Sequence, residues 1–133
     1  MPPKVLIVDD EPLIHLLYSR PIRNAGYEPL CAKTAAEGLD LARAEKPVVI
    51  IMDVMLPGTT GLSALRELKV DAEMKQIPVI VITAAVDRYV ETSQEAAAAG
   101  AALFLTKPIS PPQLVNEIKR LLEAAPPVGV DSV

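Results

Sequence analysis

The sequence predicts one α/β domain in which five parallel strands alternate with five helices. Three runs rich in β-branched residues, at 4–8, 48–52 and 78–82, have strand length and no polar break. A segment with helical spacing of its apolar residues follows each run, and such alternation is typical of right-handed crossovers onto one sheet covered on both faces. Pro29 places the second strand candidate at a sheet edge, which favours the strand order 2-1-3-4-5.

The composition supports a globular protein. The 133 residues are 50% hydrophobic and 23% charged, which is enough for one domain with a sizeable core. A net charge of −4 disfavours nucleic-acid and anionic-membrane partners, which require clustered basic residues. No leader opens the chain, and no apolar run approaches the roughly 18 residues of a membrane span. We therefore expect a cytoplasmic protein.

The first half of the chain supplies two strands and two helices. The first strand, 4–8, ends in three acids, and a helix follows from Pro12 to Ala25. Pro21 lies inside this helix, and we expect it to kink the helix or to end its regular part early. The second strand, 27–32, contains the only cysteine, Cys31, which we expect to be a small buried residue. Thr34 has a glutamate three residues later, and this spacing predicts a capped helix through about residue 44.

The second half repeats the pattern three times. A strand ending in Asp53 is followed by a turn at 57–58 and a helix at 61–70. The fourth strand, 78–83, precedes a helix over about 87–99, and the fifth strand, 102–106, precedes a helix capped by Ser110. Residues 125–133 have no periodic pattern. We expect one domain over 1–124 with a flexible tail or linker stub at 125–133.

Residues with reactive or charged side chains follow four of the predicted strands. Asp9 and Asp10 follow the first strand and Asp53 ends the third, and these strands are neighbours in the predicted order. Three close carboxylates repel one another unless a cation offsets them, and Mg²⁺ prefers such oxygen ligands. Thr83 and Lys107 end the fourth and fifth strands at the same edge.

This set of residues suits phosphoryl transfer. A carboxylate can accept a phosphoryl group, while a metal ion, an ammonium and a hydroxyl stabilise its oxygens. Each residue also has a simpler explanation: Asp53 as a turn cap, Asp9 or Asp10 as a helix cap, Thr83 as a strand residue and Lys107 as a solvated loop lysine. The coincidence of all of them at strand ends favours the joint interpretation. The only histidine, on the first helix, is expected to be solvated or packed.

Five motifs, in order over residues 4–123, resemble those of two-component response-regulator receiver domains, the CheY-like family with a flavodoxin-like fold. The motifs are Val8-Asp9-Asp10-Glu11, Met52-Asp53-Val54-Met55-Leu56-Pro57-Gly58, Gly61-Leu62, Ile82-Thr83-Ala84 and Leu105-Thr106-Lys107-Pro108.

The resemblance implies a metal-dependent phosphoacceptor. Asp53 would accept a phosphoryl group from a phosphohistidine on a sensor histidine kinase or a histidine phosphotransfer protein. Asp9, Asp10 and Asp53, with the backbone carbonyl of Met55, would bind Mg²⁺ or Mn²⁺.

The resemblance also implies a conformational switch. Thr83 and Lys107 would hold the phosphoryl oxygens, and Phe104 would turn inward as Thr83 moves. The peptide bond between Lys107 and Pro108 would be cis. The chain departs from the family pattern at Thr60, where an acid or asparagine is usual. Ala85 occupies a position that tunes dephosphorylation, and its apolar side chain predicts a phosphoryl lifetime that is not especially short.

The predicted function is a phosphorylation-controlled switch, a monomer or weak dimer that binds an unidentified downstream protein. The chain could instead be the receiver part of a longer regulator with an output domain. A Mg²⁺-dependent phosphohydrolase is disfavoured because Met55 stands where such an enzyme needs a second acid. A flavodoxin-like cofactor carrier is disfavoured because acids occupy the place of a phosphate-binding loop. We expect no enzyme in the usual sense, beyond catalysis of its own phosphorylation and dephosphorylation.

Overall fold

A computed structural model describes residues 2–56, 58, 60–84 and 89–124. Strands and helices alternate along the chain: β1 (Lys4–Val8), α1 (Pro12–Asn24), β2 (Glu28–Ala32), α2 (Ala35–Glu45), β3 (Val49–Asp53), α3 (Gly61–Val70), β4 (Val79–Thr83), α4 (Tyr89–Ala99), β5 (Leu103–Thr106) and α5 (Pro111–Ala124). Pro57 of the predicted turn, the predicted start of the fourth helix near residue 87 and the predicted tail at 125–133 lie outside the described residues.

The five strands form one parallel sheet in the order β2-β1-β3-β4-β5, which confirms the predicted topology. Pro29 lies in β2 at the sheet edge, where its missing N–H costs no ladder bond to an outer neighbour. Because all strands are parallel, their carboxyl ends meet at one edge of the sheet. That edge brings together the residues that follow β1, β3, β4 and β5.

Helices cover both faces of the sheet, as the continuous apolar strands predict. On one face, Leu6 and Met52 pack with apolar residues of α2, α3 and α4. On the other face, Ile7 and Ile51 pack with residues of α1 and α5. With both faces occupied, the strand ends are the part of the sheet left for polar chemistry. None of the helices in the described part of the chain combines the length and hydrophobicity that crossing a bilayer requires.

Two helix starts confirm the capping predictions. The Thr34 hydroxyl accepts a hydrogen bond from the Glu37 backbone N–H at 3.1 Å, at the start of α2. The Ser110 hydroxyl accepts one from the Gln113 N–H at 3.2 Å, at the start of α5. These bonds satisfy N–H groups that lack a partner within the helix, so Thr34 and Ser110 mark where the two helices begin.

One local expectation was wrong, and another was wrong in one of its two alternatives. Helix α1 continues beyond Pro21 to Asn24, close to its predicted end, so the proline does not end it early, and the kink stays a prediction. Tyr18 and Ile22 on either side of the proline are fully buried, and this packing holds the helix despite the lost hydrogen bond. Cys31 is exposed instead of buried. An edge strand has a neighbour on one side only, which leaves this position of β2 open to solvent.

Candidate functional site

Three aspartates meet at the carboxyl edge of the sheet. Asp53 is the last residue of β3, and Asp9 directly follows β1, the neighbouring strand. Carboxylate oxygens of Asp9, Asp10 and Asp53 all lie within 4.8 Å of one another. Asp9 and Asp53 are buried, whereas Asp10 is exposed. Neither Asp9 nor Asp10 caps α1, because the N-cap position belongs to Glu11, which makes no side-chain capping bond.

Lys107 lies among these carboxylates. Its Nζ is 2.9 Å from Asp9 Oδ2 and 3.3 Å from Asp53 Oδ2. The lysine follows β5, and its backbone N–H donates to the carbonyl of Thr83 at 2.8 Å, which ties this loop to β4. The side chain is only 11% exposed. Lys107 is therefore part of the cluster, and its interpretation as a solvated loop lysine is wrong.

Glu11 is a fourth acid of the site that the sequence did not single out. Its Oε1 lies 3.2 Å from Lys107 Nζ. The available sequence signal was its place directly after Asp9 and Asp10, but a helix N-cap position does not indicate where the side chain points. The cluster thus holds four acids and one lysine within the described residues.

Asp53 both caps a turn and faces the lysine. Its Oδ1 accepts a hydrogen bond from the Met55 backbone N–H at 3.1 Å, while its Oδ2 faces Lys107. The first bond fixes the rotamer of the carboxylate, which leaves Oδ2 directed into the cluster. The turn-cap explanation and the functional interpretation therefore describe two oxygens of the same side chain.

The electrostatics of the cluster shift two pKa values. Burial, followed by the negative charge of Asp9, raises the pKa of Asp53, although the Met55 N–H and Lys107 oppose this. Burial alone would lower the pKa of Lys107, but its hydrogen bond to Asp9, the charges of Asp53 and Asp9 and its hydrogen bond to Glu11 raise the pKa above the ordinary value. The lysine therefore stays charged and offsets only part of the negative charge.

The donor set fits a hard divalent cation. Carboxylate oxygens are the ligands that Mg²⁺ and Mn²⁺ prefer, and the surplus of acids over lysine favours a further positive charge. Asp10 is the most accessible of the three aspartates, while Asp9 and Asp53 already contact Lys107. These three residues could hold such an ion.

Helix α3 begins against the backbone of Asp53. The Gly61 N–H donates to the Val54 carbonyl at 3.0 Å, and a Cβ built on Gly61 would lie 2.0 Å from the Asp53 carbonyl oxygen. Only glycine permits this approach. Thr60, which departs from the family pattern, caps α3 by accepting a hydrogen bond from the Ser63 N–H at 3.2 Å.

The remaining predicted residues lie on the neighbouring strands. Thr83 is fully buried at the end of β4, and Phe104 is partly buried on β5 opposite Val81. The peptide bond between Lys107 and Pro108 is cis, the isomer that the resemblance implies. Ala85 lies outside the described residues, so the expected phosphoryl lifetime stays a prediction.

Comparison with known proteins gives the same family from the sequence and from the fold. The sequence profile of the response regulator receiver domain matches residues 5–119. The polar-differentiation response regulator DivK of Brucella anthropi is 38% identical over 122 residues, which cover 92% of this chain and 98% of DivK. DivK of Brucella ovis is 37% identical over the same length.

Solved structures of response regulators are also similar to this chain in fold and sequence. The chemotaxis response regulator CheY4 of Vibrio cholerae is 32% identical with a TM-score of 0.82, covering 91% of this chain and 99% of that one. A putative response regulator from Chloroflexus aurantiacus is 31% identical with a TM-score of 0.84, covering 92% and 99%. The chain therefore belongs to the response regulator receiver domain family, the signalling domains of two-component systems.

Proposed function

We propose that this receiver domain is a phosphorylation-controlled switch in which Asp53 accepts the phosphoryl group. The observation that carries the proposal is the placement of the Asp53 carboxylate, buried at the sheet edge with Oδ2 3.3 Å from the Lys107 ammonium and two further aspartates nearby. A nucleophile, a fixed cation and candidate metal ligands are the parts that phosphoryl transfer needs.

The proposed donor is a phosphohistidine on a sensor histidine kinase or a histidine phosphotransfer protein. A carboxylate oxygen of Asp53 forms the new bond to phosphorus while the P–N bond of the donor breaks and the imidazole leaves. Lys107 is in place to stabilise charge on the phosphoryl oxygens, since its Nζ already contacts Asp53 Oδ2. Family membership supports the class of donor, because receiver domains interact with such kinases and phosphotransfer proteins.

Asp9, Asp10 and Asp53, with the Met55 backbone carbonyl, are the proposed ligands of Mg²⁺ or Mn²⁺. The bound ion would neutralise charge that develops on the phosphoryl group. The three carboxylates also repel the incoming phosphoryl oxygens, so the ion and Lys107 together remove an obstacle to approach.

The proposed switch uses Thr83 and Phe104. Both residues lie on strands adjacent to the site, β4 and β5, which pair directly. A phosphoryl group that contacts Thr83 and Lys107 in one conformation only would shift the population toward that conformation. The altered surface would then bind a downstream protein.

Helix α1 offers the proposed docking surface for the donor. Leu13 and Leu16 are 75% and 73% exposed, and Leu17 is half exposed, although large apolar side chains are usually covered. The helix begins three residues after Asp9, so this apolar face borders the site. A donor helix with an apolar face, seated on these leucines, could bring its phosphohistidine to Asp53.

The proposal extends to the bounds of the domain, its cellular location, its oligomeric state and the class of its partner. The receiver domain would span 1–124, since the family match ends at 119 and α5 ends at Ala124, and residues 125–133 would be a tail. We also propose a cytoplasmic protein, monomeric or weakly dimeric, that acts on no foreign substrate. The predominance of acids over basic residues supports a protein partner over nucleic acid.

Intact mass spectrometry after incubation with acetyl phosphate and Mg²⁺ tests the proposal. The wild-type chain should gain one phosphoryl group, and Asp53→Asn should gain none. Asp40→Asn is the matched control, because this carboxylate is highly exposed on α2, and it should behave as the wild type. Uptake by Asp53→Asn equal to that of the wild type would show that another residue is the acceptor.

A further inference from the structure

His15 is the only histidine of the chain and lies on α1 with 8% of its surface exposed. Its Nε2 is 2.7 Å from the backbone carbonyl oxygen of Asp9. Because a carbonyl oxygen can only accept, Nε2 carries the proton and donates it. The other ring nitrogen, Nδ1, is buried without a hydrogen-bond partner in the described part of the chain. Among the described residues, the ring therefore makes one hydrogen bond, and it goes to the backbone of Asp9, an acid of the cluster.

We propose that His15 is a positioning residue that holds the Asp9 carbonyl and thereby orients the acidic turn of the cation site. The inference rests on the proposed function, because it assumes that these acids bind a divalent cation. Burial of an imidazole with one unpartnered nitrogen is unfavourable, so the bond to Asp9 accounts for the presence of histidine where an apolar residue would otherwise suffice.

The backbone of Asp9 is held on both sides. Its N–H donates to the Ala32 carbonyl of β2 at 3.0 Å, and its carbonyl accepts from His15. A peptide unit is planar, so fixing the Asp9 carbonyl also fixes the N–H and Cα of Asp10. Asp10 is exposed, and the direction of its side chain depends on that backbone.

The Asp9 side chain is fixed by the same turn. Its Oδ1 accepts a hydrogen bond from the Glu11 backbone N–H at 3.0 Å, and its Oδ2 lies 2.9 Å from Lys107 Nζ. Rotation of the Asp9 peptide would move the Glu11 N–H and loosen the first of these contacts. His15 thus acts on both acids of the turn through one carbonyl, since its Nε2 is bonded to the Asp9 backbone and its Nδ1 has no hydrogen-bond partner among the described residues.

A pair of variants separates the hydrogen bond from the volume of the side chain. His15→Gln keeps an N–H donor near the place of Nε2, whereas His15→Met has a similar unbranched shape and no donor. Binding of Mn²⁺ to the metal-free full chain, followed by electron paramagnetic resonance, is the readout. We expect the Gln variant to bind within about twofold of the wild type and the Met variant about tenfold more weakly, as is typical when a supporting contact of a metal site is lost.

Amide hydrogen exchange at Asp10 and Glu11 in metal-free protein gives a second readout, with faster exchange expected for the Met variant alone. If that variant does not fold, His15→Leu takes its place in both measurements. Equal Mn²⁺ affinity for the wild type and the donor-free variant would overturn the inference and leave the proposed function intact. Equal weakening by Gln and Met would also overturn it. Absence of Mn²⁺ binding by the wild type would overturn the proposed cation site and the inference together.

Discussion

Two lysines lie at opposite ends of the same sheet and have very different surroundings. Lys4 begins β1 and forms an ion pair with one acid, Glu45, at the end of α2. Lys107 follows β5 at the carboxyl edge and lies within 3.3 Å of Asp9, Glu11 and Asp53. The ion pair of Lys4 and Glu45 is balanced in charge, whereas the cluster around Lys107 has a surplus of negative charge.

The two ends of the sheet differ in whether the charged groups there stabilise one another. The hydrogen bond from Lys4 to Glu45 raises the pKa of Lys4, so that pair stabilises its own charges. At the other end, burial and the charge of Asp9 raise the pKa of Asp53, so its ionised form is disfavoured until further positive charge arrives. A site with this surplus of negative charge is suited to bind a cation, and an incoming phosphoryl group would be repelled until that cation is bound.

The largest expected effect follows from removing the lysines. Lys107→Met should lower the free energy of unfolding by about 3 kcal/mol, because it leaves buried carboxylates without their cation. Lys4→Met should cost less, since the Lys4 and Glu45 pair is more exposed. Urea unfolding at pH 7 in EDTA measures both. Equal losses would contradict the distinction between the two ends.

The next largest expected change in stability follows from adding a divalent cation. Mg²⁺ at 100 times its dissociation constant should stabilise the folded chain by about 2.7 kcal/mol, because it binds the folded cluster and not the unfolded chain. Asp10→Asn should reduce the increase in Tm, while Glu45→Gln at the other end should leave it unchanged. A Tm that does not respond to Mg²⁺ in the wild type would exclude the cation site.

The smallest effect concerns Asp53 itself. Because its folded-state pKa is raised, the folded state holds the proton more tightly than the unfolded state, and stability from this group is lost as pH rises through that pKa. Asp53→Asn should therefore raise Tm in metal-free protein at pH 7, by less than Mg²⁺ raises the Tm of the wild type. The gain should shrink as pH falls toward the ordinary carboxyl pKa of about 4. Thermal unfolding at several pH values tests this, and a lower Tm for the variant at pH 7 would contradict it.

The sequence predicted the scaffold of the site well. Apolar runs without polar breaks located the strands, and the residues at their ends, such as Asp53 and Thr83, could be assigned to one edge because parallel strands share their direction. The strand order followed from Pro29 together with the alternation of strands and helices.

What the sequence did not predict depends on where side chains point. Glu11 reaches Lys107 across 96 residues of chain, and His15 donates to the backbone carbonyl of Asp9 in the loop before its own helix. No spacing rule encodes either contact. The exposure of Cys31 depends on how neighbouring elements cover that position, which is likewise a property of tertiary packing.

The most direct test of the account is the Mg²⁺ dependence of phosphoryl uptake at Asp53. Acetyl phosphate is added to the wild-type chain over a series of Mg²⁺ concentrations, with EDTA as the zero point, and the phosphorylated fraction is read by intact mass. Uptake should be absent in EDTA and half-maximal near the Mg²⁺ dissociation constant that the dependence of Tm on Mg²⁺ concentration gives. Equal uptake in EDTA and in Mg²⁺ would contradict the claim that surplus negative charge at this edge requires a cation before Asp53 can react.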